Sequence, residues 1–399
     1  MNQARTPSRR QANRRGSIAF VAAGLSSPEG SVGGSERQIL NLALQFERVF
    51  GWSVTMVAWS KWAMSMDTSG VPGRIVLFGG AGKWDWVLWP VTCFGRLLGL
   101  NADVYYQRGL SQLTFSTALV ARLKRRAFVW HAAHESDCSP AAWRAFRFGD
   151  GKTGPKGWAL RALALAHEAL LRRALRWADL VIFQTETQKA RLEPGWGVSL
   201  RQCVVIPNGH ALPVIDVHPA PGRSVLWLAG LKQFKRPEVF VELARELTVS
   251  GVACRLAGRA FGARWANWID RISQDEGNNV MYLGELDRAS VYAELKCSLA
   301  LVSTSIAEGF PNTFVEAWMS GRPVVSLGFD PDKVISKYNL GYVTTEPRAA
   351  AAWIARLADD LKLQFDYAYR CREYAEAHHD IGCVAEEVRK AIEGVLRPA

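Results

Sequence analysis

An α/β protein built from two parallel-sheet units is the fold class that the 399-residue sequence predicts. Three observations point there. Short apolar runs alternate with helical stretches. The alternation halts at a Pro- and Gly-rich segment and then begins again. The runs are continuously apolar, as strands are when helices cover both faces of a parallel sheet.

The first unit opens with SIAFVAA, a buried strand, followed by the Gly/Ser-rich loop GLSSPEGSVGGSE. A helix begins near Ser35, with Ile39, Leu42, Ala43 and Phe46 on one face. GWSVTMVAW, ADVYYQR, RAFVWHAAH, DLVIFQT and CVVIPNGH read as further strands, the last ending in a turn. The long stretch WALRALALAHEALLRRALRWA reads as helix. Residues 207–223 are rich in Pro and Gly and form the expected linker. Beyond it SVLWLAG, ACRLAG, NVMYLG, LALVST and RPVVSLG are strands with helices between them, and the chain from about residue 351 is helical. The expected division is a basic arm at 1–16, a first domain at 17–206, the linker, a second domain at 224–375 and a helical tail at 376–399.

The net charge of +12 is partly local: the first 16 residues hold five Arg and no acid. Such an arm suits anionic lipid as well as open solvent. No zinc-finger spacing or RNA-binding aromatic signature accompanies the charge, so nucleic acid is not an expected partner. Seven scattered cysteines without a CxxC pair suit reduced thiols and a cytosolic setting, peripheral at the inner membrane face if the arm binds lipid. The longest apolar stretch, WVLWPVTCFGRLLGL, is interrupted by Pro90 and Arg96 and falls short of a membrane span.

Four clusters at strand ends could carry chemistry. Glu308 and Glu316 frame IAEGFPNTFVEAW, the first in a loop and the second early in a helix for which Asn312 is a candidate N-cap. Lys232, Lys235 and Arg236 follow a strand and precede a helix, a placement that suits a diphosphate. Gly33 and Gly34 would let backbone approach a ligand at another helix start, although the GxGxxG pattern and the Walker lysine are missing. His131 and His134 close a strand, with no further ligand at metal spacing. Each cluster alone also fits a purely structural role.

Together the segments GGSERQ, HESD, VVIPNG, LAGLKQFKRPEVFVELA and EGFPNTFVEA followed by SGRPVV resemble the retaining glycosyltransferases of family 4 over roughly residues 17–345. The resemblance implies a GT-B fold: two Rossmann-like domains whose parallel sheets face each other across a cleft. It places Lys235 at the donor diphosphate and Lys232 near the position of the family's partner arginine, where lysine keeps the charge but lacks the bidentate fork. It places Glu308 against the donor sugar and Glu316 on the ribose hydroxyls. Phe310, Pro311, Asn312 and Thr313 fall in the loop whose amides cover diphosphate and sugar. Gly33 and Gly34 fall near the donor phosphate and acceptor. His134, beside Asp137, best matches the family's first-domain histidine, with His131 the runner-up.

The implied activity moves a sugar from a nucleotide donor to a saccharide or lipid-linked acceptor, as in polysaccharide or glycoconjugate synthesis, without cofactor or metal. His134, Glu308 and Lys235 are the expected catalytic residues. A nucleotide-sugar epimerase of the same architecture and a silent nucleotide-sugar-binding protein remain as alternatives.

Overall fold

The computed structural model describes residues 16–24, 33–60, 70–80, 85–148, 155–213, 218, 220, 222–275 and 277–396. Most of the basic arm, including Arg5, Arg9, Arg10, Arg14 and Arg15, lies outside them.

Two parallel sheets form, as the continuously apolar strands predict. The first contains β1 (Ser17–Ala22), β2 (Ser53–Trp59), β3 (Arg74–Phe78), β4 (Val104–Arg108), β5 (Ala127–His131), β6 (Leu180–Phe183) and β7 (Cys203–Val205), in the order β3-β2-β1-β4-β5-β6-β7. The second contains β8 (Ser224–Leu228), β9 (Ala253–Ala257), β10 (Val280–Gly284), β11 (Ala300–Ser303), β12 (Val324–Ser326) and β13 (Gly341–Val343), in the order β10-β9-β8-β11-β12-β13. In each sheet the order reverses beside the first strand, between β1 and β4 and between β8 and β11. Loops leaving the carboxyl ends of strands diverge at such a reversal and open a crevice for a ligand.

Helices cover both faces of both sheets. In chain order they are α1 (Gly34–Arg48), α2 (Asp85–Leu98), α3 (Gln112–Leu123), α4 (Pro140–Phe148), α5 (Pro155–Trp177), α6 (Glu186–Trp196), α7 (Pro237–Leu247), α8 (Ala263–Gln274), α9 (Arg288–Cys297), α10 (Asn312–Met319), α11 (Val334–Lys337), α12 (Pro347–Asp359), α13 (Leu361–His379) and α14 (Ile381–Val395). None of the described helices is long and apolar enough to cross a membrane.

Two strands add to those the pattern predicts, and both are short edge strands. β3 lies between positive-φ turns at Gly73 and Gly79, which leave only RIVLF to signal it. β13 is three residues long and begins at Gly341, where a side chain's Cβ would come within 1.9 Å of the Val324 carbonyl oxygen.

The last helix does not stay with the second sheet. Ile381, Val384, Ala385, Val388 and Ile392 of α14 share a core with Ile18, Phe20, Ile39 and Phe46 of the first unit. The chain thus crosses between units once through the linker and again before α14. Ile392 is fully buried there. Ile392→Ala should cost about 2–5 kcal/mol of unfolding free energy in urea titration, as truncation of a core side chain does. An unchanged midpoint and slope would mean that α14 is a loosely held tail.

Candidate active site

Both sheet reversals deliver residues singled out in the sequence. From β1 comes the start of α1, with Gly33 in extended backbone before it. From β8 comes the turn holding Lys232 and Lys235, and from β11 the loop carrying Glu308 and then α10.

The turn after β8 is pinned to the end of β11. The Lys235 carbonyl accepts from Thr304 Oγ1 at 2.5 Å, and Ile306 N donates to the Phe234 carbonyl at 3.1 Å. This fixes Lys235 beside Glu308, and the two side chains form an ion pair in which both are mostly buried. Arg236 turns elsewhere. Its guanidinium donates to the carbonyls of Thr304 at 2.8 Å and Leu327 at 2.5 Å, so this third cation of the cluster closes strand ends. Lys232 lies 4.8 Å from the centre of the Phe261 ring. Burial, and then the nearby Lys235, pull its pKa below the usual lysine range.

His134 approaches this group from the first unit, its ring 5.8 Å from that of Phe234, which in turn lies under the Lys235 ammonium. The His134 amide donates to Asp137 Oδ2 at 3.1 Å, and Ser136 N donates to His134 Nδ1 at 3.0 Å. Nδ1 is therefore an acceptor, which puts the proton of the neutral ring on Nε2. His131 is placed differently. It is buried within 2.6 Å of the Tyr106 hydroxyl and 3.2 Å of Arg108, and burial holds its pKa well below the usual histidine range.

Asn312 does not cap α10. Pro311 occupies the cap position without a side-chain bond, and Asn312 is the first helical residue. Its amide reaches the first unit instead: Nδ2 donates to the Gly34 carbonyl at 3.0 Å, while Oδ1 accepts from Gln38 at 3.1 Å and from Asn208 at 2.9 Å. The approach at Gly34 is close: a Cβ there would sit 2.9 Å from Asn312 Nδ2, so the amide would have to shift. Asn208 Nδ2 also donates to the Phe310 carbonyl at 2.8 Å, and its Oδ1 accepts from the buried Arg108. Gly309 packs as tightly: a Cβ there would lie 2.6 Å from the Ala133 carbonyl oxygen.

These contacts take up part of the loop that the resemblance assigned to the donor. The Phe310 amide donates to Gln184 Oε1 at 2.7 Å and its ring is buried against Trp318 and His379. Thr313 is half-buried at the second position of α10, where a helix leaves its amides without intrahelical partners. Beyond the sequence-derived set, the structure adds Gln38, Arg108, Gln184, Asn208 and His210 to the cleft floor. Isolated Gln and Asn carry no sequence signal of their own, and Asn208 and His210 stood in what reads as a linker. A further tie joins the units at the rim, where the Asp332 carboxylate accepts from Glu186 N at 2.6 Å and Thr187 N at 3.0 Å at the start of α6.

Glu316 projects from the second turn of α10, with its carboxylate 4.0 Å from His210 Nδ1. Burial raises its pKa to about 7, against the pull of Arg288 and Arg37. Burial likewise holds His210 down at about 3, so that this ring is neutral. Among the described residues no three His, Cys, Asp or Glu side chains gather as a metal site.

Residues 32–212 match the model of Glycosyltransferase Family 4, and residues 222–360 match that of Glycosyl transferases group 1. The chain is similar in fold to Anabaena HepE in complex with UDP-glucose, at 16% identity and a TM-score of 0.69, covering 95% of this chain and 100% of that one. Sucrose-phosphate synthase from Thermosynechococcus elongatus is similar at 18% identity and 0.67, over 96% and 99%. A glycosyltransferase from Rickettsia africae is similar at 12% identity and 0.68, over 97% and 100%. No curated protein sequence matches.

The raised pKa of Glu316 links its protonation to folding. Because the folded value of about 7 exceeds that of an unfolded glutamate, the protonated group favours the fold below about pH 4.5. That contribution is lost as pH rises to about 7. The stability of the wild type relative to Glu316→Gln should therefore fall across this window in urea titrations. A difference independent of pH would show that the carboxyl titrates as if exposed.

Proposed function

We propose that this chain, a member of the GT4-like glycosyltransferases with the GT-B fold, moves a sugar from a nucleotide-diphosphate donor to a saccharide or lipid-linked hydroxyl with retention of anomeric configuration. The observation that carries the reading is the Lys235–Glu308 pair at the reversal of the second sheet, with His134 facing it across the Phe234 ring.

In this reaction the bond between the anomeric carbon and the diphosphate oxygen breaks, and its electrons pass to the phosphate. Lys235 and Lys232 meet that growing negative charge, aided by the amides at the start of α10. Glu308 faces the sugar as positive charge builds on the anomeric carbon. The acceptor oxygen attacks on the face the phosphate leaves, and its proton passes to the departing phosphate oxygen. His134, held by Asp137 and Ser136, contacts the donor sugar through Nε2–H. Glu316 accepts from the ribose hydroxyls. Gly33 and Gly34 line the acceptor side near the diphosphate. Phe310 and Pro311 support the loop, and Asn312 and Thr313 present the helix-start amides. Since HepE of Anabaena is known in complex with UDP-glucose, UDP-sugars are the first donors to test.

Lys235→Ala should reduce turnover by about 10²–10³, the loss expected when one preorganised charge partner of the transition state is removed, in a variant that still folds but melts lower because Glu308 is left without its partner. Near-normal turnover in a folded variant would reject the assignment. Because protein cations take the role of neutralising the diphosphate, transfer should also persist in saturating EDTA. Loss of activity that Mn²⁺ or Mg²⁺ restores would contradict the metal-independent reading.

A further inference from the structure

The helical layer over one face of the first sheet has an outer surface that the transfer reaction does not use. In this layer α3 packs between α2 and α5. In an outer helix the solvent-facing stripe is ordinarily polar. On α5, Leu165, Ala166, Ala169 and Leu170 are exposed along that stripe, Leu165 to 58%. The stripe ends in Arg172, Arg173, Arg176 and Trp177, which with Leu165 and Glu168 line a groove.

The chemistry of the groove is one-sided. Its acid, Glu168, is held in ion pairs by Arg144 and Arg172 and is mostly buried. Trp177 is half-buried, with Arg122 of α3 at 5.1 Å and Arg173 at 5.0 Å from its ring centre. The neighbouring helices α2 and α3 extend the surface. They expose Val91 and Leu98, and Leu123, and add Arg96 and Arg122. Among the described side chains of α2, α3 and α5, Arg96, Arg122, Arg172, Arg173 and Arg176 stand against the one acid Glu168.

We propose that this face, centred on α5, docks the protein on an anionic lipid bilayer. Scattered single leucines on a surface are ordinary, but a contiguous apolar stripe beside unopposed arginines is a different object. An interfacial helix lies in the headgroup layer with apolar side chains directed at the acyl boundary, cations on the phosphates and tryptophan between them. The α5 face supplies all three. A second copy of the chain fits poorly, because facing copies would bring arginine against arginine. Nucleic acid would satisfy the arginines but leave the leucines in water. The face shares no residue with the donor site or with the basic arm.

Flotation with phosphatidylcholine vesicles, with and without phosphatidylglycerol, tests it at low and high salt. The wild type should float with the anionic vesicles and less so at high salt. Arg173→Ala combined with Arg176→Ala should lower partitioning by about 30-fold, since each cation near a charged surface contributes about a factor of five. Leu165→Ser combined with Leu170→Ser should lower it in both salts. A chain lacking residues 1–16 should retain binding that remains sensitive to both pairs of substitutions. All four side chains sit on the outer surface, so melting temperatures and transfer to a soluble acceptor should not change. Flotation equal to wild type in both paired variants would overturn the proposal, as would binding that vanishes with the arm. So would a dimer in sedimentation that the leucine substitutions dissociate while no variant floats, or binding to DNA in place of vesicles.

Discussion

The amide of one side chain, Asn312, is shared by both units and the linker, and the arrangement of the cleft follows from it. The amide nitrogen donates once and its oxygen accepts in a half-buried place, and leaving such a group unsatisfied costs about 1–3 kcal/mol. The partners come from Gly34 and Gln38 of the first unit and from Asn208 of the linker. They can be reached only if the start of α10 faces the start of α1. Gly309 removes a side chain that would meet the Ala133 carbonyl at 2.6 Å, and at Gly34 a Cβ would displace the Asn312 amide itself. Glu308, next to Gly309 in the chain, is thereby carried to the face where His134 stands.

Charge is then sorted by local geometry. Three cations leave the turn after β8, but Arg236 spends its guanidinium on strand-end carbonyls. Lys235 faces Glu308, and both are largely out of water. A buried pair of this kind is costly to break unless another charge replaces the lost partner. In the proposed reaction the donor diphosphate is that replacement. Lys235 moves from the carboxylate to phosphate, and Glu308 is released to face a sugar that becomes cationic. The pair holds the turn after β8 to the loop after β11, and in the proposed reaction its two charges are the ones the donor meets.

Much of the architecture is legible in the sequence. Continuous apolar strands such as SIAFVA, AFVWH and SVLWL report sheets covered on both faces, and the chain's Gly/Ser-rich and basic strand-end loops mark the sheet reversals. What is hidden has a common physical cause: it depends on contacts between distant segments. Asn312 reads as a helix cap from its neighbours alone, and only the presence of α1 draws its amide away. Asn208 and His210 sit in a Pro/Gly-rich stretch that reads as solvent-exposed linker, yet both are buried. The apolar face of α14 is clear from its periodicity, but nothing local tells which unit it covers. Arg236 is indistinguishable from Lys235 as a charge in a turn until the strand ends beside it are seen.

A crystal structure of the chain with a bound nucleotide-sugar would show whether Lys235 exchanges its carboxylate partner for phosphate. Lys235 Nζ should lie within hydrogen-bond distance of a diphosphate oxygen, with the Glu308 carboxylate turned to the sugar and the Asn312 contacts intact. A donor bound in the cleft while Lys235 stays on Glu308, its phosphates neutralised by a metal ion or by other side chains, would contradict that exchange.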